Sequence, residues 1–132
     1  VYQGGIGLGS PRFSISVDTD YDGDVDGNIF VYLGDPPDFS EEPDFDFRSS
    51  GNLLAGNDLR VDSSQLGGPF YGTFDDALDV AGFGDVLSVN FVVDAGFAFE
   101  DGVQTIVVQD LRINRDRLNL RQLERSGSVA VQ

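Results

Sequence analysis

The sequence contains no cysteine, histidine, methionine, tryptophan or lysine. Without cysteine and histidine the chain has neither a disulfide nor a Cys/His zinc site, and it lacks the parts of a Ser-His-Asp or Cys-His nucleophile. No apolar run approaches the roughly 20 residues that a membrane-spanning helix needs. These absences exclude several common catalytic and metal-binding arrangements, and they predict no membrane span.

Positive charge is also scarce. The 132 residues include 8 basic side chains, all arginine, against 23 acidic ones, of which 19 are aspartate, and the formal net charge is −15. A charge of this sign repels phosphate backbones, so we expect no nucleic-acid partner. The length and the 40% of hydrophobic residues suit one core, and we expect a single domain over residues 1–132.

Apolar and polar residues alternate along much of the chain, which is the period of a strand with one buried face. The alternation covers residues 13–17, 28–33, 45–48, 59–62, 87–93, 103–114 and 128–132. These short segments are separated by Gly, Asp and Pro clusters. The pattern predicts an all-β fold, a single antiparallel β-sandwich of jelly-roll type, with one or two short helices.

The clearest helix signal is the spacing of Thr73 and Asp76, which fits a capping box. It predicts a helix over residues 74–81 that ends at Gly82. Residues 115–125 fit either a helix or a strand, and we favour a helix there because Arg, Leu and Gln have high helix propensity.

The densest acidic segment lies between the first two predicted strands. Its carboxylates alternate along the chain, at Asp18, Asp20, Asp22, Asp24 and Asp26. Carboxylates packed this closely repel one another unless a cation neutralises them. An irregular loop of oxygen ligands suits calcium better than magnesium, and transition metals would prefer imidazole or thiolate. The segment therefore predicts a calcium site formed by these aspartates, and a solvated acidic turn is the alternative.

The same segment opens with the pattern D-x-D-x-D-G, formed by Asp18, Asp20, Asp22 and Gly23. In this it resembles EF-hand-type calcium loops, such as those of dockerins and thrombospondin type 3 repeats. The resemblance implies a backbone carbonyl ligand at Asp24 and a direct or water-bridged ligand at Asp26. The twelfth position is Ile29 instead of a bidentate Glu, and no flanking helices are apparent. We therefore expect a calcium loop in a β-hairpin and not an EF-hand domain.

A second acidic region, with irregular spacing, covers residues 35–46. Within it, residues 34–43 contain prolines and few apolar side chains, which predicts a surface loop. Asp35 or Asp38 could complete the first site across the hairpin.

The setting is predicted to be extracellular. The chain begins at Val1 without an initiator methionine, which is consistent with a mature form trimmed from a secreted precursor. The alternative is a halophile's cytosolic protein, in which many aspartates and no lysines maintain solubility in concentrated salt. The two are compatible if the source is a secreted halophile protein.

Three functions fit these features. The first is a non-enzymatic, calcium-stabilised structural subunit that assembles with itself into a filament or cell-surface layer through strand or terminus exchange, with the glycine-rich residues 1–10 as a donor. The alternative is a calcium-dependent carbohydrate-binding or adhesion module. Residues 86–97 and 101–111 resemble the closing strands of jelly-roll domains in extracellular proteins, including carbohydrate-binding modules. The aromatic side chains that could contact a sugar in such a carbohydrate-binding module are Tyr21, Tyr32, Phe70 and Tyr71.

The third function is an acidic glycosidase, because paired carboxylates can hydrolyse glycosides. Nothing in the sequence places one acidic residue in an apolar pocket that would raise its pKa. We therefore predict no enzymatic activity, and we expect the partner to be a second copy of the chain or a polysaccharide.

Overall fold

The structure is a computed structural model that describes residues 2–55, 58–113, 116–117 and 129–131. The strands are β1 (Tyr2–Ile6), β2 (Arg12–Asp18), β3 (Gly27–Tyr32), β4 (Glu41–Arg48), β5 (Val61–Asp62), β6 (Asp85–Val92), β7 (Ile106–Val108), β8 (Arg112–Ile113), β9 (Asp116–Arg117) and β10 (Val129–Val131). The helix α1 covers Phe74–Ala81, and 3₁₀ turns cover Ser64–Leu66 and Gly96–Ala98. No helix in the described ranges is long and apolar enough to cross a membrane.

The strands form two four-stranded sheets and a separate two-stranded pair, β8–β9. The first sheet has the order β10-β7-β1-β4 and the second the order β5-β3-β2-β6. Neighbouring strands are antiparallel except β10, which runs parallel to β7. The predicted all-β fold with few helices is confirmed.

Apolar side chains from both sheets meet in one core cluster. The cluster contains Ile6, Ile106 and Val108 from the first sheet, with Phe91 of β6 and the residues Leu33 and Val93 that follow strands of the second sheet. A second cluster lies under α1 and contains Val17, Ile29, Val31, Val61 and Ala77. Except for Ile6, the residues of these clusters that belong to strands are apolar positions of the alternating pattern, and a period of two places them on the buried face of each sheet.

The helix forms where the sequence predicts it. The Thr73 hydroxyl accepts a hydrogen bond from the Asp76 N–H at 3.2 Å, and the Asp76 carboxylate accepts one from the Thr73 N–H at 2.7 Å. The Asp76 carboxylate also accepts a hydrogen bond from the Thr73 hydroxyl at 2.8 Å, and the N–H and hydroxyl of Thr73 together lower the pKa of Asp76 because they favour the charged carboxylate. The helix ends before Gly82, whose φ of +60° is favourable only for glycine.

Two segments differ from the expectation. Residues 41–43 of the predicted surface loop belong to β4, where Glu41 pairs with Ile6, and Phe39 is buried against Tyr32. Pro43 is compatible with a strand here because β4 is at the edge of its sheet. Residues 103–114, predicted as one long strand or as two strands joined at a bulge, contain two short strands, β7 and β8.

The segment of residues 115–125, favoured as a helix, lies outside the described residues except at Asp116–Arg117, which form β9. The end of the chain matches its predicted strand, since β10 falls within residues 128–132.

A buried glutamine connects three separate parts of the chain. The Gln104 amide donates to the carbonyls of Ser10 at 2.6 Å and Gly5 at 3.2 Å. Its carbonyl oxygen accepts from the Ser10 hydroxyl at 2.7 Å and from the Ala95 N–H at 3.1 Å. All four hydrogen-bonding positions of the side chain are therefore used, which is what burial of an amide requires.

We expect Gln104→Met to destabilise the protein by about 3 kcal/mol, because it leaves several buried donors and acceptors without partners. The measurement is the free energy of unfolding in a urea titration. The matched control is Gln65→Met, which removes an exposed amide that accepts from Asn28 and should cost about 1 kcal/mol or less. Equal losses in the two variants would contradict the structural role of the Gln104 network.

Candidate metal centre

The acidic loop connects two paired strands of the second sheet. Strand β2 ends at Asp18 and β3 begins at Gly27, and the two are antiparallel neighbours with Val17 opposite Gly27. The Asp26 N–H donates to the Val17 carbonyl at 2.9 Å and closes the hairpin. The loop of residues 19–26 thus begins and ends on rigid elements.

The Asp18 side chain organises the loop from within. It is 2% exposed, and its two carboxylate oxygens accept hydrogen bonds from three backbone N–H groups. Oδ1 accepts from Tyr21 at 2.7 Å and Asp20 at 3.2 Å, and Oδ2 accepts from Gly23 at 2.8 Å. A carboxylate that accepts several N–H groups turns the chain around itself, as Asp does in Asx-turns.

Shorter turns of the same kind continue the loop. Asp20 accepts from the Asp22 N–H at 3.3 Å, and Asp22 accepts from the Asp24 N–H at 2.9 Å. Gly23 has a φ of +93° and no atom within 4 Å of the position of a Cβ. Its conformation and not the available space therefore requires glycine at the sixth position of the pattern.

Three of the five predicted ligands come together. Each of Asp18, Asp20 and Asp22 offers a carboxylate oxygen, and these oxygens lie within 4.8 Å of one another. Oxygens on opposite sides of a calcium ion are about 5 Å apart, since each Ca–O distance is about 2.3–2.6 Å. The group could therefore hold one metal ion.

The other two predicted ligands lie outside this group. The Asp26 carboxylate accepts hydrogen bonds from the Thr19 hydroxyl and from the Thr19 N–H, the latter at 2.7 Å. Both hydrogen bonds lower the pKa of Asp26. Asp24 is exposed and contributes its N–H to Asp22, and its carboxylate is not part of the group.

Asp35 and Asp38, the residues of the second acidic region that could complete the site, do not join the three loop carboxylates. Asp35 accepts a hydrogen bond from Arg60 at 2.6 Å and follows the end of β3, whereas the acidic loop precedes its beginning.

Within the loop, the negative charge of Asp22 disfavours the charged form of Asp20. The Asp22 N–H lowers the pKa of Asp20, but the negative charge of Asp22, with smaller contributions from burial and from Asp26 and Asp18, raises that pKa overall. A raised pKa means that the folded loop disfavours the charged form of Asp20. A bound cation would reverse this effect.

Two features of the site are visible only in the structure. The Tyr21 hydroxyl donates to the Phe83 carbonyl at 2.6 Å, which connects the loop to the segment before β6. Ile29, at the twelfth position of the pattern, is 4% exposed and packs in the core. Further ligands would therefore be backbone carbonyls and water.

We expect Asp20→Asn to have opposite effects with and without a divalent cation. With a chelator its melting temperature should equal or exceed that of the parent, because one repelling charge is removed. With excess Ca²⁺ or Mg²⁺ it should melt below the parent. An ion at about 100 times its Kd adds about 2.7 kcal/mol of stability, and the variant should lose most of this.

The control is Asp24→Asn, which removes the same charge from the same loop but leaves the group of three carboxylates intact. It should retain the response of the melting temperature to the cation. A parent protein that melts at the same temperature with cation and with chelator would show that the loop is only a solvated turn.

No family model, curated protein or solved structure matches this chain.

Proposed function

We propose that the protein is a non-enzymatic, extracellular structural subunit that is stabilised by calcium and assembles with copies of itself into a filament or surface layer. The observation that carries this proposal is that three carboxylates meet in the loop between β2 and β3. This loop is also hydrogen-bonded, through Tyr21, to the segment before β6. An ion in this position would strengthen the fold instead of meeting a substrate in a cleft.

Calcium is the ion that this donor set favours. The group offers oxygen ligands only, two of its three carboxylates are exposed, and the loop is irregular. Calcium accepts irregular geometry and retains water ligands, whereas magnesium requires a near-ideal octahedron. A site with three carboxylates fits the weak affinities of extracellular calcium modules, with a Kd of about 10⁻⁴–10⁻³ M. Such concentrations of free calcium occur outside cells, which supports the proposed location.

The bound ion would act at the junction of three strands. The loop lies between β2 and β3, and Asp18 is paired with Asp85 at the start of β6. Tyr21 adds a hydrogen bond to Phe83 on the same segment. Neutralising the loop would therefore stabilise one end of the second sheet.

A non-enzymatic role is supported by a cavity among the described residues. It has a volume of about 380 Å³, lies against both sheets and is lined mainly by apolar side chains. Asp110 is its one acidic lining residue, and that side chain is half exposed. A glycosidase requires two carboxylates that face each other across the sugar.

We expect the parent protein to form larger particles as calcium rises from zero to about 10 mM, a range that covers the expected Kd. Light scattering and electron microscopy would measure the particles, and a chelator should reverse their growth. Asp20→Asn should require more calcium than the parent, and Asp24→Asn should behave like the parent. A protein that stays monomeric throughout the titration would contradict the proposed assembly.

A second candidate function, carbohydrate binding, is favoured by an aromatic surface formed by Phe70 and Tyr71, which pack on the buried rings of Tyr32 and Phe39. Phe70 and Tyr71 are each 46% exposed, and their ring centroids are 4.8 Å apart. The buried ring of Phe39 lies 5.6 Å from Tyr71 and 4.1 Å from Tyr32, and the Tyr71 hydroxyl donates to the Pro37 carbonyl at 3.0 Å. The exposed rings are thus held in place before any ligand binds.

The chemistry of this surface suits a neutral sugar. The apolar faces of sugar rings pack on aromatic rings, and a net charge of −15 repels anionic polysaccharides. The ring of Tyr32, on which this surface packs, belongs to the last residue of β3. The acidic loop lies before the first residue of β3, about 20 Å away along the strand. We therefore propose that the ion would not contact the sugar directly.

We expect Tyr71→Ala to lose any retardation of the parent on gels that contain neutral polysaccharide, with a loss of about 1–3 kcal/mol for one stacking ring. The control is Phe83→Ala, which removes a ring that is 95% exposed but lies beside the acidic loop. Chelation below the melting temperature should not change the retardation. A parent that is not retarded by any neutral polysaccharide would exclude this candidate.

A further inference from the structure

The edges of the two sheets differ in how well they are protected. An edge strand presents unpaired N–H and C=O groups, and proteins protect such edges with charge, proline, short strands or a covering segment. In the first sheet the edge strand β4 contains Glu41, Glu42, Pro43, Asp44 and Asp46, and the edge strand β10 has three residues. Both edges of the first sheet therefore have protection of a recognised kind.

One edge of the second sheet is also closed. Strand β5 has two residues, and on its outer side Val61 exchanges backbone hydrogen bonds with Gly72 at 3.0 and 2.8 Å. The chain thus covers its own edge at this point.

Strand β6 at the opposite edge has little protection. It has eight residues, Asp85–Val92, with one charged side chain at its first position and no proline. Among the residues that the structure describes, it is paired with β2 alone. Its first half exposes Val86 and Leu87, and Phe83 just before it is 95% exposed. Of the four edge strands of the two larger sheets, β6 is the longest that has no proline and no acidic residue after its first position. Exposed apolar side chains lie at its start.

The regular part of this edge is short and defined. The pairing with β2 runs from Ser16 opposite Ser88 to Val17 opposite Val86, so Leu87 is an extra, bulged residue. From Ser88 to Val92 the register is continuous. A strand added from outside would therefore pair with residues 88–92.

We propose that β6 is the interface through which two copies of this chain pair, antiparallel and edge to edge, with Asn90 of each copy opposite Asn90 of the other. This inference rests on the proposed self-assembly and names one of its surfaces, since a two-fold pair is closed and a filament or layer needs a second contact to grow. The two second sheets would join into one sheet of eight strands, since each contributes four.

The uncharged middle of β6 is complementary to itself, and the position of Asp85 favours the antiparallel direction. With Asn90 at the two-fold axis, Ser88 lies opposite Val92 and Val89 opposite Phe91, so no charged residues face each other. The two Asp85 carboxylates lie at opposite ends of the paired strands. A parallel pairing in register would place these carboxylates side by side, which is unfavourable. A two-fold axis also makes the contact self-complementary and closed.

The copies repel each other at long range, because each has a net charge of −15. Salt screens this repulsion within a Debye length of about 8–10 Å at 0.1–0.15 M ionic strength. Pairing through β6 should therefore become stronger as ionic strength rises. A contact that depends on attraction between opposite charges would become weaker under the same conditions.

The absence of cysteine allows a direct test with a single introduced thiol. In the proposed pair the two Asn90 Cα atoms are about 4.5–5.5 Å apart, which is within disulfide range. Under mild oxidation we expect Asn90→Cys to form a covalent dimer in most of the protein, measured by non-reducing electrophoresis. The control Asn52→Cys, at another exposed position, should form little.

A second variant tests the same contact without cross-linking. Asn90→Asp places two carboxylates opposite each other and should shift the association measured by sedimentation at least tenfold toward monomer. Asn52→Asp adds the same charge elsewhere and should associate like the parent. If the parent assembles and Asn90→Asp assembles equally well, β6 is not the interface, although the proposed self-assembly stands. A parent that remains monomeric at high protein and salt concentration with about 10 mM calcium overturns both proposals.

Discussion

The shape of the acidic loop depends on the hydrogen bonds that the buried carboxylate of Asp18 accepts. Its two oxygens accept three backbone N–H groups and so determine the path of the loop between β2 and β3. The same path brings Asp20 and Asp22 to Asp18 and turns Tyr21 toward Phe83. The geometry that could bind a cation is therefore a property of the backbone, and the cation would add stability to a loop that already has its shape.

Local patterns in the sequence were sufficient for most of the fold. Period-two alternation predicted the strands because one face of each sheet is buried, and Thr73 with Asp76 predicted α1 because the cap involves neighbours in the chain. The prediction was wrong where long-range pairing decides the structure. Residues 41–43 look like a polar loop, but β1 provides a partner strand for them.

The acidic loop shows the same limit for the site. Alternation in the sequence treats its five aspartates as equivalent, whereas hydrogen bonds separate them into three that converge and two that do not. Thr19, which holds Asp26 apart, carries no signal that would distinguish it from other loop residues. In the same way Phe39 has no pattern that predicts its position between Tyr32 and Tyr71. Side-chain partners that are distant in sequence determine such details.

The central position of β1 has a consequence for the order in which the molecule can fold. Strand β1 lies between β4 and β7, so one of its two neighbours is separated from it by most of the chain. Contacts between such distant residues form slowly, because a large loop must close first. During synthesis the hairpin of β2 and β3 can form before β7 leaves the ribosome, while β1 must wait for β7. The first sheet can therefore be completed only after the acidic loop has taken shape.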